Sequence, residues 1–185
     1  MFNLVTPNLT AAFTAAEVTA LKICPPLGTS YQDPKTGKKY KFLKNAGATT
    51  ITAGMAARLS DASAFTVATA AVLNAPDFAG SRVLLASDVA QNSAGWFQLS
   101  GNASLILGAS ANALTANQEG IVIDDDADCG KVGKAVITTG GTVNQSTAEA
   151  ALAGVNGVFA LNQGGALSAT DAAVECQLIR NAWGE

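Results

Sequence analysis

The chain has 185 residues, of which 49% are apolar, 14% charged and 6% aromatic, with a formal net charge of −3. A length of this order supports one domain with a core that needs neither disulfide nor metal, and the acidic balance argues against a phosphate-binding surface. A charged share well below the ~25% usual for soluble domains leaves much of the surface to small neutral side chains, a composition that suits proteins held in assemblies.

The first thirty residues stand apart from the rest. In "FTAAEVTAL", Thr14 precedes Glu17 by three positions and Phe13 precedes Val18 by five, which is the pattern of a capping box with a hydrophobic staple. A short helix from Thr14 to about Lys22 is predicted, ending before Cys24-Pro25-Pro26 and Gly28. It is too short to stand alone. Phe2, Leu4, Phe13, Val18 and Leu21 therefore need a surface to pack on, either the protein's own core or a neighbouring subunit. Residues 1–30 are read as an N-terminal arm and 31–185 as a β-rich domain.

From Tyr31 the chain reads as strand and turn. "YQDPKTGKKYKF" predicts a hairpin with Asp33-Pro34 opening the turn and Gly37 inside it. Beyond the turn, Tyr40 and Phe42 alternate with Lys39 and Lys41, so rings and ammonium groups take opposite faces. Further strands are expected at "TTITAG", "FTVATAAV", "RVLLASDV", "GWFQLSG", "SLILGA", "GIVID", "KVGKAVITT", "GVFAL" and "VECQLIRNAW", with a helical turn at 147–153. A loose Gly–strand–Gly unit recurs at Gly95–Gly108, Gly120–Gly133 and Gly154–Gly165, as expected where strands bend round a barrel. Many short strands at even spacing predict a mainly β fold, a small barrel or sandwich of short strands with an N-terminal arm or short helix.

Three features are candidates for chemistry. Asp124, Asp125, Asp126 and Asp128 fall within five positions. An EF-hand loop starting at Asp124 would need Gly at its sixth position and Glu at its twelfth, but Cys129 and Ala135 stand there. A looser calcium site through Asp124, Asp126 and Asp128 would need carbonyls and water to complete it; a hydrated hairpin tip partly neutralised by Lys131 and Lys134 is the preferred reading, and no metal or other cofactor is expected. Catalysis is not expected either. The chain contains no histidine, the commonest general base at neutral pH. No nucleophile elbow, P-loop or dinucleotide fingerprint occurs. The cysteines, Cys24, Cys129 and Cys176, are odd in number and unspaced for metal, which points to synthesis in a reducing compartment. Neither a signal peptide nor a membrane span is expected.

The third feature is basic. Lys35, Lys38, Lys39, Lys41 and Lys44 crowd into ten positions around two rings. That pattern fits a lysine-guarded edge hairpin, a nucleic-acid strand surface, or a contact for an acidic protein.

"KKYKFLKNAGATTITAGMAARL" and "GWFQLSGNASLILGA" together resemble the capsid decoration, or cement, proteins of tailed bacteriophages. The shared layout is a charged hairpin leading to an aromatic strand, then Asn45, Gly47, Thr50 and Gly54, and later the strand Gly95 to Gly101. The resemblance spans roughly residues 31–133. It implies a structural virion protein, made in the host cytoplasm and bound to the capsid exterior as a homo-oligomer, usually a trimer, that clamps neighbouring major capsid proteins. The partners implied are the major capsid protein and further copies of the chain, with no nucleic acid and no membrane. Phe2, Leu4, Phe13, Val18, Leu21, Lys38, Lys39 and Lys41 are the expected interface residues. The alternative is a tail- or fibre-associated β module that binds a host surface glycan.

Overall fold

In a computed structural model, the described residues are 6–20, 24–69, 78–83, 86–108, 114, 120–123, 130–134, 158–179 and 183. They hold twelve strands and one short helix, so the mainly β expectation is met. The strands divide into two sheets, and each sheet closes on itself.

The first sheet contains β1 (Ala12–Phe13), β2 (Ser30–Gln32), β3 (Lys39–Asn45), β4 (Ala56–Asp61), β5 (Thr66–Ala68), β6 (Phe78–Arg82) and β7 (Ala94–Gln98). Its order is β1-β7-β6-β4-β5-β3-β2, and β7 also pairs with β3. That extra pairing, antiparallel from Tyr40↔Gln98 to Lys44↔Ala94, closes β3, β7, β6, β4 and β5 into a five-stranded barrel. β3 meets β5 in parallel through Lys44↔Thr66 and Asn45↔Val67. Register shifts at Leu59/Asp61 and Ala57/Arg58 bend β4 around the small circumference. β1 and β2 lie outside the ring, on β7 and β3 respectively. A ring of so few strands has no lumen. Its interior holds Leu43, Ile51, Ala57, Val67, Ala79, Val89 and Phe97, all buried.

The second sheet contains β8 (Gly101–Ile106), β9 (Gly120–Ile123), β10 (Val132–Lys134), β11 (Ala160–Asn162) and β12 (Ala173–Leu178), ordered β10-β9-β11-β12-β8. A parallel bridge Leu107↔Val132 and the bond from Gly108 N to Val132 O, 2.8 Å, close it as well. Leu105, Leu107, Leu114, Ile121, Val132, Phe159, Val174, Cys176 and Leu178 fill its core. Contacts across the two rings are made where β4 begins. Ile106 N donates to Gly54 O and Ala56 N to Gly130 O, at 3.1 and 2.7 Å. Gly54 has φ +81°, and a Cβ there would sit 2.9 Å from the Ile106 side chain, so both conformation and contact demand glycine.

The arm follows its sequence signal closely. Helix α1 (Ala15–Ala20) starts after Thr14, whose N–H donates to the Glu17 carboxylate at 2.7 Å, while Glu17 N–H donates back to Thr14 Oγ1 at 3.4 Å. Phe13 and Val18 pack in one cluster with Leu9, Cys24 and Leu27 against the outer face of β3 and β7. Of the two surfaces left open for the arm, the described part therefore lies on its own chain.

Several strands depart from expectation. "TTITAG" supplies only an isolated bridge, Ile51↔Val89. β4 was not expected at all: "AARLSD" has no β-branched or aromatic residue, Ala and Asp are depleted in strands, and it is pairing on both sides that makes the segment extended. β6 ends at Arg82, where the strand "RVLLASDV" had been expected to begin. β1 was unforeseen because two residues carry no periodicity. The helical turn expected at 147–153 lies outside the described residues.

Candidate functional site

The surface with the most concentrated chemistry is built on β3 and β7. Alternation along β3 sends Tyr40 and Phe42 outward from the barrel and Lys41, Leu43 and Asn45 to the other side. Outward, Phe42 lies 5.4 Å from Trp96 and 5.5 Å from Phe13 between ring centroids, and Tyr31 of β2 lies 6.3 Å from Tyr40 and 6.4 Å from Trp96. Such pairs each contribute about 0.5–1.5 kcal/mol beyond burial of area. Phe42 and Trp96 are 0% and 2% exposed, so this face is a second core sealed by the arm and not an open platform.

On the opposite side, Lys41 is only 6% exposed. Its ammonium lies 4.6 Å from the Trp183 ring centroid and 6.0 Å from that of Phe65, a cation–π arrangement. Lys41, expected at a contact surface with Lys38 and Lys39, is thus drawn into the chain's own packing. Trp183 comes from beyond β12, far away in sequence, and nothing local foretells the contact.

Arg82 is the buried charge that sequence reasoning missed. It is 1% exposed. Nη1 donates to Trp96 O and Nη2 to Ser87 O, both at 2.7 Å, and Nη2 reaches Ala11 O in the arm at 3.5 Å. Its guanidinium also stands 5.9 Å from the Phe97 ring centroid. Burial pushes its pKa down to about 10, against the opposing pull of Asp88. Gly95 makes the room: a Cβ there would lie 3.0 Å from the Arg82 guanidinium carbon and 2.9 Å from Val89. Nε has no hydrogen-bond partner among the described residues. The arrangement is a clamp joining β6, β7, the 87–89 loop and the arm. It remains protonated at neutral pH and offers no proton to exchange.

The remaining candidates are quickly placed. Cys176 is buried, and desolvation, with Glu175 nearby, raises its thiol to about 12, so it is inert at neutral pH. Cys24 is half-buried, its Sγ 3.6 Å from Glu17 O. Asp124, Asp125, Asp126, Asp128 and Cys129 lie outside the described residues, as do Phe2, Leu4 and Leu21. Among the described residues no three acidic, histidine or cysteine side chains gather as a metal site, and no helix is long and apolar enough to cross a membrane. Lys131 forms an ion pair with Asp171 at 2.9 Å.

The hairpin tip is what remains exposed. Lys35 is exposed and Lys38 and Lys39 are half-buried. Both strands of the hairpin belong to the first sheet, but β3 is internal to it and only β2 forms an edge.

No family model matches this sequence, and no curated protein matches it. Among solved structures, the chain is similar to the N base of the head fibre protein gp8.5 of bacteriophage phi29, at 11% identity over 77% of this chain and 96% of that chain, with a TM-score of 0.43.

Proposed function

We propose that this chain is a non-catalytic structural protein of a tailed-phage particle, attached to the capsid exterior, where repeated copies clamp neighbouring major capsid proteins. The observation that carries the reading is the closure of both sheets. Each ring is filled by its own side chains, and the aromatic outer face of the first is covered by the arm. Function then falls to the outer surface, where the low overall share of charge, 14% of residues, keeps the cost of desolvation small away from the lysine hairpin. One copy needs only a weak contact, because copies linked as trimers on a lattice gain effective concentration and resist peeling. The two segments that resemble decoration proteins, 38–59 and 95–109, fall on β3, the turn before β4 and most of β4, and on β7 and β8.

The test is add-back. Purified protein mixed with undecorated shells should co-sediment with them and raise their resistance to heat. Protein that stays in the supernatant at saturating concentration, yet binds host cells or glycans and is recovered on tails, would replace this reading with the tail or fibre alternative.

A further inference from the structure

The lysine hairpin admits three readings by sequence, and the structure separates them. A nucleic-acid strand surface needs aromatic faces on which bases stack. The rings interleaved with these lysines, Tyr40 and Phe42, are buried against Trp96 and beneath the half-buried Phe13 and Tyr31, so no base can reach their faces. Guarding an edge does not require Lys39 either, since β3 is paired on both sides. Three cations held at one tip are left to explain.

The tip is held firmly. Asp33 Oδ2 accepts from Thr36 Oγ1 at 2.6 Å and Oδ1 from Lys35 N at 3.0 Å. Gly37 N donates to Asp33 O at 2.8 Å, and Asp33 N to Lys38 O at 2.9 Å, with Gly37 at φ +71°. Lys39 N donates to Ser100 Oγ at 3.1 Å, and the Lys38 stem passes over Gly101, where a Cβ would meet it at 3.2 Å. The one carboxylate in the turn is thus spent on the turn itself; these bonds hold its pKa below the usual carboxylate value, with a smaller contribution from Lys35. Among the described residues Lys35, Lys38 and Lys39 stand in no ion pair, although the whole chain is net acidic.

We infer that the turn from Asp33 to Lys39 is a docking element for a carboxylate-rich protein surface, with Lys35, Lys38 and Lys39 as its cationic contacts. A fixed turn loses little conformational freedom on binding. Complementary charge sets orientation and encounter rate and makes the contact weaken with salt. Under the function proposed above the partner surface belongs to the shell, and the inference rests on that reading for the partner's location only.

The experiment uses two probes on the full chain. Binding of fluorescent poly-L-glutamate is measured for the native protein and for the triple variant K35E/K38E/K39E, with circular dichroism confirming that the variant folds; single-stranded DNA of matched charge is the competitor. Saturable polyglutamate binding that falls about tenfold or more in the triple variant, and falls likewise between ~0.05 and ~0.5 M salt, supports the inference. Triple K35R/K38R/K39R should retain it. Equal binding by the charge-reversed variant, no binding by the native protein, or tighter binding to the DNA would overturn the inference. Shell add-back of the same proteins tells the two readings apart. If the native protein fails to bind shells while the polyglutamate result stands, the proposed function falls and the docking element does not.

Discussion

The two barrels differ in how many of their faces are covered. In the first, β7 is buried at every position and β3 at five of seven, because the arm and β2 roof the outside while the barrel core fills the inside. In the second, β12 alternates exposed and buried along its whole length, its outward residues being Ala173, Glu175 and Gln177. The first barrel is therefore a two-layered body, with a cluster of aromatic rings outside and mainly aliphatic side chains around Phe97 within. Among the described residues the second shows one buried layer at β12, almost wholly aliphatic. A covered strand can hold a lysine or an arginine only by giving it partners, as with Lys41 and Arg82. An uncovered strand simply turns its polar residues to water.

The difference can be probed by substitution. Trp96→Ala should have the largest effect, a loss of about 3–5 kcal/mol, because Trp96 touches Phe42 and Tyr31 beneath the arm. It should also make the arm sensitive to limited proteolysis. Leu105→Ala, in the core of the second barrel, should cost about 2–4 kcal/mol in denaturant melts and leave the arm protected. If Leu105→Ala exposed the arm as readily as Trp96→Ala, the outer layer would not be separate from the second barrel's core.

A smaller effect concerns the arm alone. Thr14→Ala removes the Thr14 side of the capping box and should cost about 1 kcal/mol, read as faster amide exchange at Glu17 and Val18 with the β12 amides unchanged. The smallest effect is acid loosening. The Thr14 backbone and hydroxyl bonds lower the Glu17 pKa below its ordinary 4.5. The folded arm therefore binds a proton less readily than the unfolded one. The stabilisation is fully present above the unfolded value and is lost as pH falls through the folded value. Amide protection across α1, exchange taken relative to its intrinsic rate at each pH, should fall on acidification below 4.5, and Glu17→Gln should abolish that dependence. An unchanged pH profile in that variant would assign the acid sensitivity elsewhere.

The same contrast in coverage governs what could be read in advance. β12 and the hairpin of β2 and β3 were legible because alternation and turn residues are local signals. The capping box was legible for the same reason, since Thr14 and Glu17 are three positions apart. β4 was not legible, because its extended conformation comes from neighbours on both sides and not from "AARLSD". Nor was Arg82, whose three carbonyl acceptors lie in three different segments.

By itself the sequence determined the class of fold, the helix in the arm, the hairpin turn, and the cluster of lysines at its tip. Each depends on residues within a few positions of one another, where backbone preference and hydrogen bonding act without the rest of the chain. Only the tertiary structure decided that there are two rings and not one, that Tyr40 and Phe42 face a covering arm, and that Lys41 ends over Trp183. Those outcomes depend on contacts between residues tens of positions apart, and closing such loops is a property of the whole chain and not of any short stretch of it.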